Sequence, residues 1–244
     1  MVSDTDLAMI SEKIILKPSI KQDLLGRIRA FNRADAAASR GLLLYGPPGT
    51  GKSLIGGHMG DLTGCHLMGL AARDLKAPYL TQSSGLVQKA WQRARAPGGC
   101  VMFIDECEWV FPRRDGKHSG MSSEELVQAF IAEWDRAGTP DQRVWVVCAA
   151  DRKWLIDDAI TSRFGAEIEL FLPDAAERRE ILKLEVLEFG CSIEVPQFLA
   201  EETAGFSGRG LARLASDVFR RARVSGETIT ESLWRDAMQH RRPG

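Results

Sequence analysis

A glycine-rich turn, preceded by an apolar stretch and followed by a helical pattern, holds the residues with the clearest chemistry in the chain. These residues are Gly46, Pro47, Pro48, Gly49, Thr50, Gly51, Lys52, Ser53 and Leu54. In such a turn the backbone amides can point at phosphate oxygens, the lysine reaches the β- and γ-phosphates, and the serine hydroxyl can ligate magnesium. The dipole of the helix that follows favours an anion. An unrelated turn would need neither the lysine nor the hydroxyl, so the pattern predicts a nucleoside triphosphate site.

Two adjacent acids, Asp105 and Glu106, follow a short apolar run at 100–104. Strand ends line the ligand crevice of a parallel α/β sheet, so acids at this position can face the phosphate turn. Asp105 is the expected magnesium ligand, and Glu106 is the group expected to orient or deprotonate the attacking water. The alternative is a pair of solvated acids at a strand end, which the phosphate turn upstream makes the weaker interpretation.

The elements that would position these residues alternate between strands and helices. Predicted strands, each a short apolar run, lie at 42–45, 65–68, 100–104, 144–148 and 166–170. Predicted helices, with apolar residues three or four apart, lie at 18–40, 83–95 and 124–137. Because the strands are apolar throughout rather than alternating, the pattern favours a parallel sheet covered on both faces. The predicted fold class is therefore α/β, a parallel-sheet P-loop NTPase domain.

The character of the sequence changes at Pro173. From Asp174 onward the apolar residues follow helical spacing, without a convincing strand pattern. We therefore expect two domains, an α/β nucleotide-binding domain at 1–172 and a small all-α domain at 173–244.

The overall composition argues against several classes of protein. Lys and Arg total 32 against 33 Asp and Glu, a net charge of -1, so no global field draws the chain to nucleic acid or to an anionic membrane. The five cysteines lack the spacing of a zinc site, which favours buried thiols in a reducing compartment. There is no apolar run of transmembrane length, and the first residues are acidic, unlike a signal peptide. We expect a cytoplasmic protein with no membrane segment and no nucleic-acid partner.

The phosphate turn, the acidic pair and the helical C-terminal part together resemble an AAA+ ATPase. The resemblance is to the AAA type that includes katanin, proteasomal and membrane-protein-extracting ATPases, and it covers about 14–238 with the motifs in the family's order. It implies ATP and Mg²⁺ as cofactors, a lid role for the helical domain, and a homo-oligomeric ring, most often a hexamer. Family members usually select targets with an additional N-terminal domain or an adaptor. The segment before Ile14 is too short for such a domain, so we expect a fragment or a partner.

Two residues take catalytic positions by this resemblance. Asp151 stands where relatives usually have a sensor asparagine. A carboxylate can accept a hydrogen bond from the attacking water, but it cannot donate one to the γ-phosphate, and its charge repels the phosphate. Arg163 resembles the arginine finger that reaches the γ-phosphate bound in a neighbouring subunit. The alternative for Arg163 is an arginine that merely solvates a helix end.

Two further residues take nucleotide-contacting positions in the family. Arg209 resembles a second sensor arginine, and the alternative is an exposed residue on a capped helix. The backbone of Ile15 lies about where relatives contact adenine, although any apolar residue before a helix would look the same.

A third resemblance concerns the substrate. Tyr79 and Leu80 take the place of the aromatic and hydrophobic pair with which protein-threading relatives grip polypeptide in a central pore. An aromatic side chain suits that task because it offers a large, sequence-tolerant contact. The alternative is a tyrosine that covers apolar surface. The basic, glycine-rich loop at 112–120 resembles a second pore loop, or an ordinary solvated connection.

The resemblance implies that Lys52, Glu106, Asp151 and Arg163 are the catalytic residues. ATP hydrolysis in a ring would then move Tyr79 along a polypeptide and so remodel, extract or unfold it. A first alternative is a nucleic-acid motor or loader of the same superfamily, which the neutral net charge disfavours. A second alternative, a weakly hydrolysing ATP-gated scaffold, follows from Asp151 at the sensor position.

Overall fold

A computed structural model of the chain describes residues 14–35, 38–76, 83–114, 121–137, 143–190 and 194–239. Among these residues there are two compact units. The first unit holds 19–46 and 52–170, and the second holds 14–18, 47–51 and 171–239.

Five strands form one sheet in the described part of the first unit. They are β1 (Gly41–Tyr45), β2 (His66–Leu70), β3 (Cys100–Ile104), β4 (Val144–Ala150) and β5 (Ala166–Glu169). All neighbours are parallel, and the order across the sheet is β2-β3-β4-β1-β5. The three central strands are almost completely buried, whereas β2 and β5 at the edges alternate between buried and accessible residues. The predicted parallel sheet is therefore confirmed, and its central strands are the continuously apolar ones.

Helices connect the strands of the first unit. They are α1 (Pro18–Asn32), α2 (Lys52–Thr63), α3 (Ala72–Leu75), α4 (Ser83–Ala94), α5 (Cys107–Val110), α6 (Met121–Arg136) and α7 (Asp158–Thr161). One core cluster joins the sheet to α4 and α6 through buried aromatic side chains. Phe130 contacts both Trp91 and Trp134 edge-on, with ring centroids 5.4 and 5.7 Å apart. Burial of such large apolar side chains is the main favourable contribution to the stability of this layer.

The first helix is shorter than the sequence predicts. Helix α1 ends at Asn32, not near Arg40. Its buried residues are Leu24, Ile28 and Phe31, and after Phe31 the sequence offers no large apolar side chain to bury before β1. Ala34 then takes a left-handed conformation with φ of 52°, which an α-helix cannot continue. The residues after Asn32 are mostly small and favour a helix, so the helix predicted from the sequence is too long.

The second unit contains four helices in its described part, α8 (Ala175–Glu188), α9 (Phe198–Glu202), α10 (Gly208–Ser225) and α11 (Glu231–Gln239). Asp174 and Glu177 form a reciprocal capping box that starts α8. The Ser207 hydroxyl accepts a hydrogen bond from the Gly210 amide and caps α10. Apolar residues of all four helices share one core, which includes Leu182, Leu199, Leu211, Leu214, Val218 and Trp234. This unit is all-helical within the described residues, as the sequence predicts.

Candidate active site

The phosphate turn begins at a glycine that no other residue could replace. Gly46 follows β1 with φ of +137°, in the region that disfavours side chains. A Cβ atom there would come within 2.0 Å of the Leu170 carbonyl oxygen. The Gly46 amide also donates to the Ala150 carbonyl oxygen at 3.3 Å. The start of the turn is therefore fixed by residues of the two neighbouring segments of the sheet, Ala150 at the end of β4 and Leu170 after β5.

The rest of the turn, 47–51, is held within the second unit. The Thr50 hydroxyl donates to the Pro47 carbonyl oxygen at 2.9 Å. The Arg209 amide donates to the Gly49 carbonyl oxygen at 3.2 Å, and a Cβ atom on Gly49 would lie 2.6 Å from the Ser207 hydroxyl. The structure thus brings the backbone of Arg209 to the turn, while its side chain is exposed. A nucleotide-sensing role for the Arg209 side chain remains a prediction.

Lys52 is the first residue of α2, and its side chain is buried. Its ammonium group donates to the Gly46 carbonyl oxygen at 2.7 Å and forms an ion pair with Asp151 Oδ1, also at 2.7 Å. The Lys52 side chain is 7% exposed, whereas that of Asp151 is 44% exposed. Ser53 and Leu54, the next residues of the helix, are exposed. The predicted phosphate-binding lysine therefore meets the predicted sensor residue directly.

The strand order explains how these residues come together. In the parallel sheet, β4 lies between β3 and β1, with Tyr45 paired to Ala150. Asp105, Asp151 and Gly46 follow β3, β4 and β1 in the chain, so they lie along the same edge of the sheet. This carboxyl edge is where ligands bind in open α/β sheets.

The acidic pair at the end of β3 has an unusual backbone. Glu106 has φ of 49° and ψ of 44°, the left-handed conformation, although it is not a glycine. Its amide donates to Asp105 Oδ1 at 3.0 Å, and its side chain is exposed. A non-glycine residue in this conformation costs about 1 kcal/mol or more, and such strain clusters at functional sites. The structure gives Asp105 and Glu106 different environments, because Asp105 is partly buried and Glu106 is not.

One acid of the site was not predicted. Glu108, in α5, is buried, and its Oε1 accepts a hydrogen bond from the Asp151 amide at 2.9 Å. Its Oε2 is buried and has no hydrogen-bond partner among the described residues. Glu108 therefore fixes the backbone of Asp151 from the neighbouring strand end. In the sequence, Glu108 is only a third acid close to Asp105 and Glu106. Such an acid resembles an ordinary solvated helix residue.

The thiol beside this acid has no catalytic use. Burial, followed by its contact with the Cys148 thiol, raises the pKa of Cys107 well above its ordinary value. A protonated thiol is a poor nucleophile, so Cys107 is a packing residue. The four described cysteines are buried and free, as predicted.

Arg163 lies in the first unit, as Lys52 does, and it also forms an ion pair. Its Nε and Nη2 donate to the two carboxylate oxygens of Asp135 at 3.0 and 2.8 Å, and its Nη1 donates to the Ala159 carbonyl oxygen at 2.7 Å. Hydrogen bonding from Arg163 lowers the pKa of Asp135, and the same hydrogen bonds raise the pKa of Arg163. The segment before it is anchored by Asp157, which caps α7 and pairs with Arg114 at 2.7 Å. Within this chain the predicted arginine finger is thus held against α6.

Comparison with known proteins identifies the family. The family model described as "ATPase family associated with various cellular activities (AAA)" matches residues 42–172. The chain belongs to this AAA family. A relative from Phytoplasma mali (strain AT), ATP-dependent zinc metalloprotease FtsH 3, is 32% identical over 200 residues, which are 80% of this chain and 33% of the relative. Human spastin is 30% identical over 221 residues, which are 88% of this chain and 34% of spastin.

A solved structure agrees with the fold. The crystal structure of the FIGL-1 AAA domain in complex with ADP has a TM-score of 0.77 and 24% identity to this chain, covering 94% of this chain and 83% of the other. At that identity the likeness shows the fold. The chain spans about a third of the length of the curated relatives it matches. The predictions that this is an AAA ATPase with the family's α/β and helical parts are confirmed.

The AAA site also fits a magnesium ion. Within the described ranges, no three His, Cys, Asp or Glu side chains are grouped to hold a metal on their own. Mg²⁺ does not need such a group, because it is usually held by one or two protein oxygens together with substrate phosphates. Asp105 and Ser53 offer a carboxylate and a hydroxyl oxygen, and both residues are accessible to solvent. These donors are of the type that Mg²⁺ prefers.

Several predicted functional positions of this AAA chain lie outside the described residues or close to their limits. Tyr79 and Leu80 lie outside the described residues, as does most of the loop at 112–120. Ile15 is partly buried next to the buried Ile14, and its contact with adenine remains a prediction. In the part of the chain that the structure describes, no helix is both long and apolar enough to span a bilayer.

Proposed function

We propose that this AAA module hydrolyses ATP in a homo-oligomeric ring, with a hexamer as the expected form, and works mechanically on a protein substrate. The observation that carries the proposal is the shared carboxyl edge of β3, β4 and β1. Gly46, Asp105 and Asp151 lie along this edge, and the buried ammonium group of Lys52 contacts two of them.

Each residue then has a role in hydrolysis. Lys52 donates hydrogen bonds to phosphate oxygens, and Asp105 and Ser53 hold the magnesium ion. When bound, Mg²⁺ supplies positive charge that offsets the charge of the phosphates. Glu106 accepts a hydrogen bond from the attacking water and takes its proton. The exposed side chain of Glu106 supports this role, since its carboxylate is accessible to a water molecule, and its left-handed backbone is of the kind found at functional sites.

The site is completed by a second copy of the chain. Arg163 carries a guanidinium group on a short, anchored segment, and its side chain is 28% exposed. In the ring, Arg163 of one subunit would reach the phosphates bound by its neighbour and offset the charge that develops during transfer. The sensor role of Asp151 is limited to accepting a hydrogen bond from water, because a carboxylate has no proton to donate.

Replacing Glu106 by Gln tests the hydrolytic part of the proposal. We expect Glu106→Gln to keep ATP binding and to lower turnover by about 10² to 10⁴ fold, because an amide cannot take the proton. Isothermal titration with ATP and a phosphate-release assay measure the two quantities. Glu180→Gln, which removes an exposed acid paired with Lys183 on α8, is the matched control. Undiminished hydrolysis in Glu106→Gln would remove Glu106 from the base role.

A protein substrate is supported by two observations. The net charge of -1 provides no field for nucleic acid, and one matched relative is by name an ATP-dependent metalloprotease, which acts on protein. Glu106→Gln held with ATP should retain its client in a pulldown, and Tyr79→Ala should release it. Turnover that DNA stimulates, and that Tyr79→Ala leaves unchanged, would instead indicate a nucleic-acid motor. We also propose a cytoplasmic location, in keeping with the four buried thiols.

The contact between Lys52 and Asp151 favours one second candidate, a weakly hydrolysing ATP-gated scaffold. A carboxylate paired with the phosphate-binding lysine leaves less of its positive charge for the phosphates, which favours slow turnover. A steady-state turnover assay separates the two candidates, because a scaffold would bind ATP and oligomerise with little phosphate release.

A further inference from the structure

The ammonium group of Lys52 is the centre of the phosphate site, and protein groups already satisfy it. An ammonium has three N–H donors, and here the Gly46 carbonyl oxygen and the Asp151 carboxylate accept at 2.7 Å each. Because the side chain is 7% exposed, little water is available to take the place of either partner. A phosphate oxygen that approaches Lys52 therefore meets an ammonium group that the protein already binds, and the Asp151 carboxylate competes with it for the positive charge.

Asp151 is placed against Lys52 by the fold. The residue before it, Ala150, pairs with Tyr45 across β4 and β1, and this pairing sets Asp151 beside Gly46. The Asp151 amide is in turn held by the buried carboxylate of Glu108 at 2.9 Å. The backbone on both sides of the ion pair is thus fixed. The carboxylate itself is 44% exposed, so it can rotate into water.

We infer that the Asp151 carboxylate is a built-in competitor of ATP, because it occupies on Lys52 the position that a phosphate oxygen takes. The inference rests on the proposed function, since it requires ATP at this site. The Gly46 carbonyl belongs to a fixed turn, whereas the Asp151 carboxylate is exposed enough to rotate into water, so Asp151 is the group that ATP displaces. A displaced carboxylate stays close to the phosphates, and the repulsion between like charges further weakens binding.

Neutral replacements of Asp151 test the competition directly. We expect both Asp151→Asn and Asp151→Ala to bind ATP with Mg²⁺ about tenfold more tightly than the parent, because each removes the negative charge that competes for Lys52 and repels the phosphates. Titration calorimetry in the Glu106→Gln background measures affinity without turnover. Asp23→Asn is the matched control, because Asp23 is 46% exposed and also paired with a cation, Arg27, and its affinity should equal that of the parent.

The pair of replacements separates competition from a missing hydrogen-bond donor. Asparagine provides a donor for phosphate, and alanine does not. If only Asp151→Asn gains affinity, the gain comes from the amide and the inference is wrong. It is equally wrong if neither variant gains affinity while the parent binds ATP. If the parent and both variants fail to bind ATP, the proposed function fails and the inference fails with it, whereas binding by the variants alone supports the inference.

Thermal unfolding checks that the variants are folded and adds an independent readout. Without nucleotide, Asp151→Ala should unfold at a lower temperature than the parent, because Lys52 remains buried without its carboxylate. Saturating ATP should then raise its unfolding temperature by more than it raises that of the parent. If Asp151→Ala folds poorly, Asp151→Leu, which keeps the approximate shape of the side chain and has no hydrogen-bond donor, takes its place beside Asp151→Asn in the affinity test. An equal ATP-induced increase in parent and folded variants would contradict the inference.

Discussion

Two cations of this chain, Lys52 and Arg163, each form an ion pair with a carboxylate, but the two pairs differ in burial. The Lys52 side chain is 7% exposed and its partner Asp151 is 44% exposed. The Arg163 side chain is 28% exposed and its partner Asp135 is 59% exposed. Arg163 binds both oxygens of Asp135, and Lys52 contacts Asp151 Oδ1.

The difference indicates how each cation can change partner. Water can replace the exposed carboxylate of Asp135 around the partly exposed guanidinium group, so leaving Asp135 costs Arg163 on the order of 1 kcal/mol. Lys52 is buried at the start of a helix, and an unpaired buried ammonium would cost several times more. Lys52 must therefore stay in place, and exchange at this site occurs through movement of its anionic partner. Arg163, in contrast, can exchange Asp135 for another anion, as its proposed role in a neighbouring subunit requires.

Removal of Arg163 should have the largest effect on activity. We expect Arg163→Ala to lower turnover by about 10³ fold while ATP binding is kept, because the finger offsets charge only during transfer. Phosphate release at a protein concentration that favours the ring measures turnover. Mixing Arg163→Ala with Glu106→Gln should restore some turnover, because mixed interfaces contain one intact set of residues. Without any restoration, Arg163 would not act across subunits.

Removal of Lys52 should act on binding instead. We expect Lys52→Ala to weaken ATP binding by at least about 10² fold, because a charge-assisted hydrogen bond to phosphate is lost and Asp151 is left without its cation. Titration calorimetry measures this effect. Lys183→Ala is the control, since Lys183 is an accessible lysine paired with Glu180 on α8. Unchanged binding in Lys52→Ala would show that the phosphate-site assignment is wrong.

The two ion pairs also show which features of the site can be predicted from the sequence and which cannot. Lys52, Asp105 and Glu106 could be predicted because short, fixed spacing within a strand and turn defines them. The parallel sheet could be predicted because its central strands are apolar throughout. The roles of these three residues in catalysis remain predictions, and the Lys52 and Glu106 variants described above test two of them.

The partners of the two cations could not be predicted. Asp135 lies in α6, 28 residues before Arg163, and Asp151 follows β4, far along the chain from Lys52. Such contacts depend on the order of strands across the sheet, and apolar patterns within each strand do not determine that order. The sequence has an acid at position 151, and the resemblance to AAA+ ATPases indicates that this position is a sensor site. That the acid contacts Lys52 follows only from β4 lying beside β1.

The stability of the chain without nucleotide should separate the two pairs. We expect Asp151→Ala to lower the free energy of unfolding by about 2 kcal/mol, which is less than for a fully buried pair because Asp151 is half exposed. Urea unfolding at neutral pH measures the loss. Asp158→Ala provides a comparison on the same unit, since Asp158 is 76% exposed and pairs with Arg113 on the surface. An equal loss in both variants would mean that burial of Lys52 adds nothing to its pair.

The smallest effect should come from Asp135→Ala, with a loss below about 1 kcal/mol at neutral pH, because solvent screens an accessible pair. The loss should shrink in high salt. Its pH dependence follows from the lowered pKa of Asp135. A carboxylate whose folded-state pKa is depressed contributes stability above its ordinary value of 3.8, and this contribution disappears as the pH falls through the lowered value. Urea unfolding of parent and variant should therefore differ at neutral pH and converge in acid. A loss as large as that of Asp151→Ala would make the two pairs equivalent, and Arg163 would then be too firmly held to move to a neighbour.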